Sequence, residues 1–162
     1  MIGKEKFACS RKVCDLVILA DPGGSAYPPH VGDVGTEMSK PKVIVLCGST
    51  RFIEIFAVCA WLIERDEGAI TLGLHLLPSW YPDVPKDHLA EAEGVKEQLD
   101  ELHLRKIDLA DQVFVVNFDH YLGESTKREV EYAIAKKLPI RWYTHDPIGA
   151  KVTAMLLAAS NA

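Results

Sequence analysis

The chain has 162 residues, 48% of them hydrophobic and 25% charged, with a formal net charge of -5. That length fits one domain of roughly 100 to 150 residues plus an extension, and its apolar runs, such as Val43 to Cys47 and Val113 to Val116, fall far short of the roughly 20 residues that cross a bilayer. Membrane-spanning functions are excluded, and the acidic balance argues against a nucleic-acid polymer as partner, since neutralising phosphates needs a Lys/Arg surplus on one face.

The amino terminus carries basic residues on both sides of Phe7-Ala8-Cys9 and no apolar stretch of the kind a secretory signal requires, so a cytoplasmic location is expected. Cys9, Cys14, Cys47 and Cys59 form no CxxC pair, and the histidines and acids show no HExxH spacing. Neither a disulfide framework nor a metal is expected, and no cofactor is implied. Residues 1–41 read as an extension: one strand over Val13 to Ala20, then an arm dense in Gly, Pro and Ser without regular structure. Pro22-Gly23-Gly24 and Gly35-Thr36-Glu37 are similar to the two halves of the PGGxGTxxE motif of cytokinin-activating phosphoribohydrolases, but the insertion between them breaks its spacing.

Residues 42–162 read as the main folded domain. Apolar strand-like runs at Val43 to Cys47, Ala69 to Leu77, Val113 to Val116 and Ile140 to Tyr143 alternate with helix-period segments at Phe52 to Arg65, Leu89 to Leu109, Thr126 to Lys137 and Gly149 to Ala159. Continuous β-branched runs separated by helices are the pattern of parallel strands covered on both faces. The expected fold is an α/β, flavodoxin-like or Rossmann-like doubly wound parallel sheet of four to five strands, with ligands bound beyond the carboxyl ends of the strands.

Three loops lie at those ends. Gly48-Ser49-Thr50-Arg51 turns from a strand into a helix start, a setting that offers backbone N–H groups and a guanidinium to an anion; Ser49 and Thr50 also suit simple helix caps. Leu77 to Pro85 is rigid and aromatic, so Trp80 or Tyr81 is placed either to stack on a nucleobase or to pack against protein. Asn117 to Thr126 leads into a helix carrying Glu129. This carboxylate, at the mouth of a parallel sheet, is a candidate nucleophile, while Thr126-Lys127-Arg128-Glu129 also fits a capping box.

Cys47-Gly48-Ser49-Thr50-Arg51, Lys106 to Asp111 ahead of a strand, and Gly123 to Ala133 ending in Lys137-Leu138-Pro139-Ile140 resemble the nucleoside 2-deoxyribosyltransferase-like superfamily over residues 42–143. The group includes base-exchanging transferases and nucleoside 5′-monophosphate N-glycosidases. The resemblance implies Glu129 as the nucleophile that attacks the anomeric carbon, giving a glycosyl ester resolved by water or a second base. It implies phosphate contact by Ser49 and Arg51 within Gly48 to Arg51, and substrate contact by Gly123, Ser125 and Thr126. Trp80 is the candidate base contact.

Two departures refine this. Gly123 stands where the transferases carry an aspartate that holds the sugar 5′-hydroxyl, and losing that charge favours a 5′-phosphate. His103 stands where the related hydrolases carry a catalytic aspartate, and an imidazolium can protonate a leaving base. Asp108 and Asp111 are alternative acids; Asp111, in the family's Ala-Asp pair, either stays near the sugar or caps the strand entrance. The expected activity is hydrolysis of a (deoxy)ribonucleoside 5′-monophosphate to free base and sugar 5-phosphate. The alternatives are base exchange and a nucleotide-binding sensor without turnover. The resemblance further implies a homodimer or larger homo-oligomer.

Overall fold

The computed structural model describes residues 40–75, 77, 81 and 89–161. The expected strand over Val13 to Ala20, its arm and Trp80 lie outside the described residues. Four strands, β1 (Val43–Gly48), β2 (Ile70–Leu72), β3 (Gln112–Val116) and β4 (Ile140–Trp142), form one sheet in the order β2-β1-β3-β4. Every neighbouring pair is parallel. This order is that of the first four strands of the flavodoxin-like arrangement. The helices are α1 (Ile53–Glu67), α2 (Leu89–Ala92), α3 (Lys96–Asp108), α4 (Glu124–Ala135) and α5 (Pro147–Ser160), with short 3-10 turns at Thr50–Phe52, Phe118–His120 and Tyr143–His145.

Alternation along the strands builds two cores. Ile44 and Leu46 of β1 and Phe114 and Val116 of β3 pack with Phe56, Leu62 and Ile63 of α1 and Val152 of α5. Val45, Cys47, Val113 and Val115 face the other way, against Ile107 of α3 and Val130 and Ala133 of α4. Both sheet faces are therefore covered, which is why β1 and β3 read as unbroken apolar runs. The doubly wound α/β sheet expected from the sequence is the fold observed.

Three of the boundaries that differ from the sequence reading bear on the site. β2 is confined to Ile70–Leu72 because it pairs only with Val43, Ile44 and Val45; beyond it, the Gly73 carbonyl accepts from Lys106 Nζ at 2.6 Å instead of a neighbouring strand. The helical segment from Leu89 breaks at Gly94, whose φ of 70° suits glycine, and α3 restarts at Lys96. α4 starts at Glu124, with Gly123 at the N-cap and no side-chain cap. Glu129 therefore lies in the second turn, and the capping-box reading of Thr126 to Glu129 is overturned.

Candidate active site

The crossover after β1 leads to β2 on one side of the sheet, and the crossover after β3 leads to β4 on the other. Between β1 and β3 the chain diverges, leaving a crevice beyond their carboxyl ends, where open α/β sheets bind ligands. A cavity of about 560 Å³ lies there, lined by Gly48 to Arg51, by one face of α3, by the start of α4 and by the segment after β2. Its volume is in the range of small-molecule sites.

Gly48 ends β1 where a side chain has no room: a Cβ would stand 2.7 Å from Phe56 Cζ and 2.9 Å from the Val116 carbonyl oxygen. This close approach delivers the following residues to the cavity. Ser49 Oγ accepts from the Arg51 backbone N–H at 3.3 Å, capping the 3-10 turn, while Ser49, Thr50 and Arg51 all line the cavity. The Arg51 guanidinium lies 4.7 Å from the centroid of the Tyr121 ring.

On α4, Thr126, Glu129, Val130 and Ala133 are buried, an i, i+3, i+4, i+7 stripe facing the sheet. A carboxylate thus occupies a core position. On α3, His103 and Ile107 are the buried pair, and His103 faces Glu129 across the two helices with Nε2 3.8 Å from Oε2. Cys47, from β1 beneath them, places Sγ 3.5 Å from the same Nε2. Glu129 is only 5% exposed and His103 3%. Glu129 Oε2 and His103 Nδ1 have no hydrogen-bond partner among the described residues.

Burial pushes the Glu129 carboxyl up to about 7, against an opposing hydrogen bond from the Cys47 thiol. Burial, helped by the Lys106 ammonium, brings His103 down to about 4. Both effects favour uncharged forms: at neutral pH His103 is an imidazole, while Glu129 is close to half protonated. The standing imidazolium expected from the sequence is therefore corrected, and a proton for a departing group must come from the pair as a unit. Cys47 is raised well above the ordinary thiol range by burial and the neighbouring carboxyl, so it is not a resting thiolate nucleophile.

The rim is polar. Lys96 Nζ donates to Ser125 Oγ at 2.8 Å and to Asp100 Oδ2 at 3.1 Å, and Arg128 reaches the same Asp100 oxygen at 2.8 Å. Gly123, Ser125 and Thr126 line the cavity as expected. Asp111 does not: its Oδ2 accepts from the Val43 backbone N–H at 2.8 Å, at the amino end of β1, the far edge of the sheet. Of the two alternatives for Asp111, the strand-entrance role is the one observed. Asp108 is likewise outside the cavity, bound to Tyr132 Oη at 2.8 Å and Lys136 Nζ at 2.7 Å on the outer surface.

Sequence reasoning passed over Cys47, Lys96, Asp100 and Lys106. Lys96, Asp100 and His103 recur at i, i+4 and i+7 on α3, a helical stripe that was legible. Cys47 heads the motif that runs to Arg51, but its place in an apolar strand gave no signal for a role of its own. No family model, curated protein or solved structure matches the chain. No described helix is long and apolar enough to cross a membrane.

The arrangement joins a desolvated carboxyl, a neutral imidazole 3.8 Å from it and the Ser49-Thr50-Arg51 turn in the lining of one cavity. Such a set suits covalent displacement at a carbon whose leaving group needs a proton and whose substrate carries an anionic tail.

Proposed function

We propose that the chain hydrolyses the N-glycosidic bond of a (deoxy)ribonucleoside 5′-monophosphate, with Glu129 as nucleophile. The observation that carries this reading is the buried Glu129 carboxyl, its Oε2 without a hydrogen-bond partner among the described residues and 3.8 Å from His103 Nε2, lining a cavity shared with the Ser49-Thr50-Arg51 turn. A buried polar atom without a partner is costly, and such costs concentrate where function needs them.

The pair holds one proton between about pH 4 and pH 7, the values of His103 and Glu129. On substrate binding the Glu129 proton passes to His103 Nε2, giving the carboxylate and an imidazolium. The carboxylate attacks C1′ as the C1′–N bond breaks, the bonding pair goes to the base, and the base takes the imidazolium proton. Water then attacks C1′, releases sugar 5-phosphate and returns a proton to His103, restoring Glu129. The developing oxocarbenium charge stabilises the carboxylate as the reaction proceeds, so desolvation of Glu129 in the ground state favours the transition state. Arg51 and the amino end of α4 supply positive potential for the 5′-phosphate. The reading carries with it a cytoplasmic homo-oligomer, which light scattering of the purified chain tests.

Chromatography of the protein with ribo- and deoxyribonucleoside 5′-monophosphates and with the unphosphorylated nucleosides, with and without an acceptor base, tests the proposal. Free base from monophosphates is expected, with Glu129→Gln lowering the rate by at least about 10³-fold. A new nucleoside formed only with acceptor base would make the chain a transferase. Nucleotide binding without turnover would make it a sensor.

A further inference from the structure

We propose that Cys47, His103 and Glu129 form a three-ligand site for a thiophilic divalent transition metal, zinc best of all. The three ligands come from β1, α3 and α4, and one donor atom from each lies within 4.8 Å of the others. Bond lengths of about 2.3 Å to sulfur and about 2.0 Å to nitrogen and oxygen, at tetrahedral angles, require an S···N edge of about 3.5 Å and an N···O edge of about 3.3 Å. The observed edges are 3.5 Å for Cys47 Sγ to His103 Nε2 and 3.8 Å for His103 Nε2 to Glu129 Oε2. The first already fits, the second is about 0.5 Å longer than the bound geometry requires, and the third, between Cys47 and Glu129, lies within 4.8 Å.

An independent observation points to a ligand. Glu129 is 5% exposed and its Oε2, the atom facing His103, has no partner among the described residues. A metal ion satisfies that oxygen, the imidazole nitrogen and the sulfur together, where no hydrogen bond among the three serves all of them. The donor set of one thiolate, one imidazole and one carboxylate is borderline-soft, which selects zinc or cobalt over magnesium or calcium. His103 and Glu129 also line the cavity, so the fourth coordination position faces it, as in zinc sites that keep an open position. Binding expels the Cys47 thiol proton to solvent.

This inference does not rest on the glycosidase reading, but the two compete for one carboxylate: a metal on Glu129 removes the nucleophile. The chain would then be active when the metal is stripped and silent when it is bound.

The test is a Co²⁺ titration of the chelator-treated full chain, read by absorption without any nucleotide. One equivalent is expected to produce a thiolate-to-cobalt charge-transfer band with the intense visible bands of a tetrahedral site, and Zn²⁺ is expected to displace it. Cys47→Ser should abolish the charge-transfer band, while Cys59→Ser, on the opposite face of the sheet, and a Cys9→Ser/Cys14→Ser variant should keep it. Glu129→Gln, which removes a ligand with little change of shape, should weaken Co²⁺ at least tenfold, so the conclusion does not depend on Cys47→Ser folding. Absence of the band in the wild-type chain overturns the proposal. So does its loss in Cys9→Ser/Cys14→Ser, or unchanged affinity in Glu129→Gln. A chain that binds cobalt yet shows no turnover after the metal is stripped would overturn the glycosidase reading alone.

Discussion

Glu129 shows how one residue's placement sets both stability and chemistry. Unfolded, its carboxyl titrates near the ordinary 4.5; in the native chain burial holds it near 7. Between those values the native state keeps a proton that the unfolded state has released, so this residue's contribution turns unfavourable as pH rises through that window and stays so above it. The difference corresponds to about 3 kcal/mol. Glu129→Gln, measured by denaturant unfolding with chelator present, is expected to gain about 2–3 kcal/mol at pH 8 and almost nothing at pH 4. Equal stability of the two proteins at pH 8 would show that the carboxyl is not desolvated.

The same pair sets the pH dependence of turnover. With His103 near 4 and Glu129 near 7, the pair carries its single proton between those values and loses it above the higher one. Base release, followed as kcat/KM, is therefore expected to hold steady from about pH 5 to 7 and to fall above it, because the acid is gone. A lone nucleophilic carboxylate predicts the opposite limb. The sequence made Glu129 visible through motif resemblance, and the structure adds the reason: at a core position of the α4 stripe it cannot be an N-terminal cap. Cys47, His103 and Glu129 stand 56 and 26 residues apart in sequence, so no local spacing rule could join them.

At the scale of elements, α5 is positioned by a backbone contact. A Cβ at Gly149 would stand 1.9 Å from the Tyr143 carbonyl oxygen, where neither partner has a flexible end to move. The helix start is otherwise well specified: Asp146 caps it through Ile148 N–H at 2.9 Å, with Pro147 in the first turn. Gly149→Ala is expected to cost about 3 kcal/mol or more, read as a lowered denaturation midpoint with the denaturant slope unchanged. Asp146-Pro147 is a legible start signal, yet the sequence reading began the helix at Gly149, two residues late. Its tolerance inside the helix is a tertiary requirement. The break at Gly94 is the converse case, since a periodic run longer than a typical helix concealed one left-handed residue.

For the whole molecule, Arg141 is the side chain that ties the layers. From β4 it donates Nε and Nη2 to Asp146 at 2.7 and 2.9 Å and Nη1 and Nη2 to Glu67 at 2.8 Å each, with its guanidinium 5.3 Å from the Phe114 ring centroid. It thus links the end of α1, the cap of α5 and the ring carried by β3. Arg141→Lys keeps the charge but loses both forks, and a loss of about 1–3 kcal/mol is expected at neutral pH. Burial alone would raise Asp146, but the hydrogen bonds from Arg141 outweigh it and hold the carboxyl below its ordinary value. That contribution is present above the ordinary range of an aspartate and is lost as pH falls through the depressed one. The gap between wild type and Arg141→Lys should therefore narrow on acidification, as urea titrations at pH 7 and pH 2.5 would register. The βα alternation that defined the fold was legible because a sheet buried on both faces needs uninterrupted apolar strands. Arg141 was not, because two of its three partners, Glu67 and Phe114, come from distant segments.

The strand order also governs how the chain reaches this fold. Ile44 pairs with Gln112, 68 residues later, and every residue of β2, α2 and α3 must be made before that partner exists. At about 5–20 residues per second of synthesis, β1 waits on the order of seconds with only β2 beside it, its Ile44, Val45, Leu46 and Cys47 destined for full burial but still uncovered on the β3 side. Such distant pairing slows folding, because the closure entropy is met before the contacts form. The central strand on which the cavity is built is thus the segment most exposed to misassociation while the protein is being made.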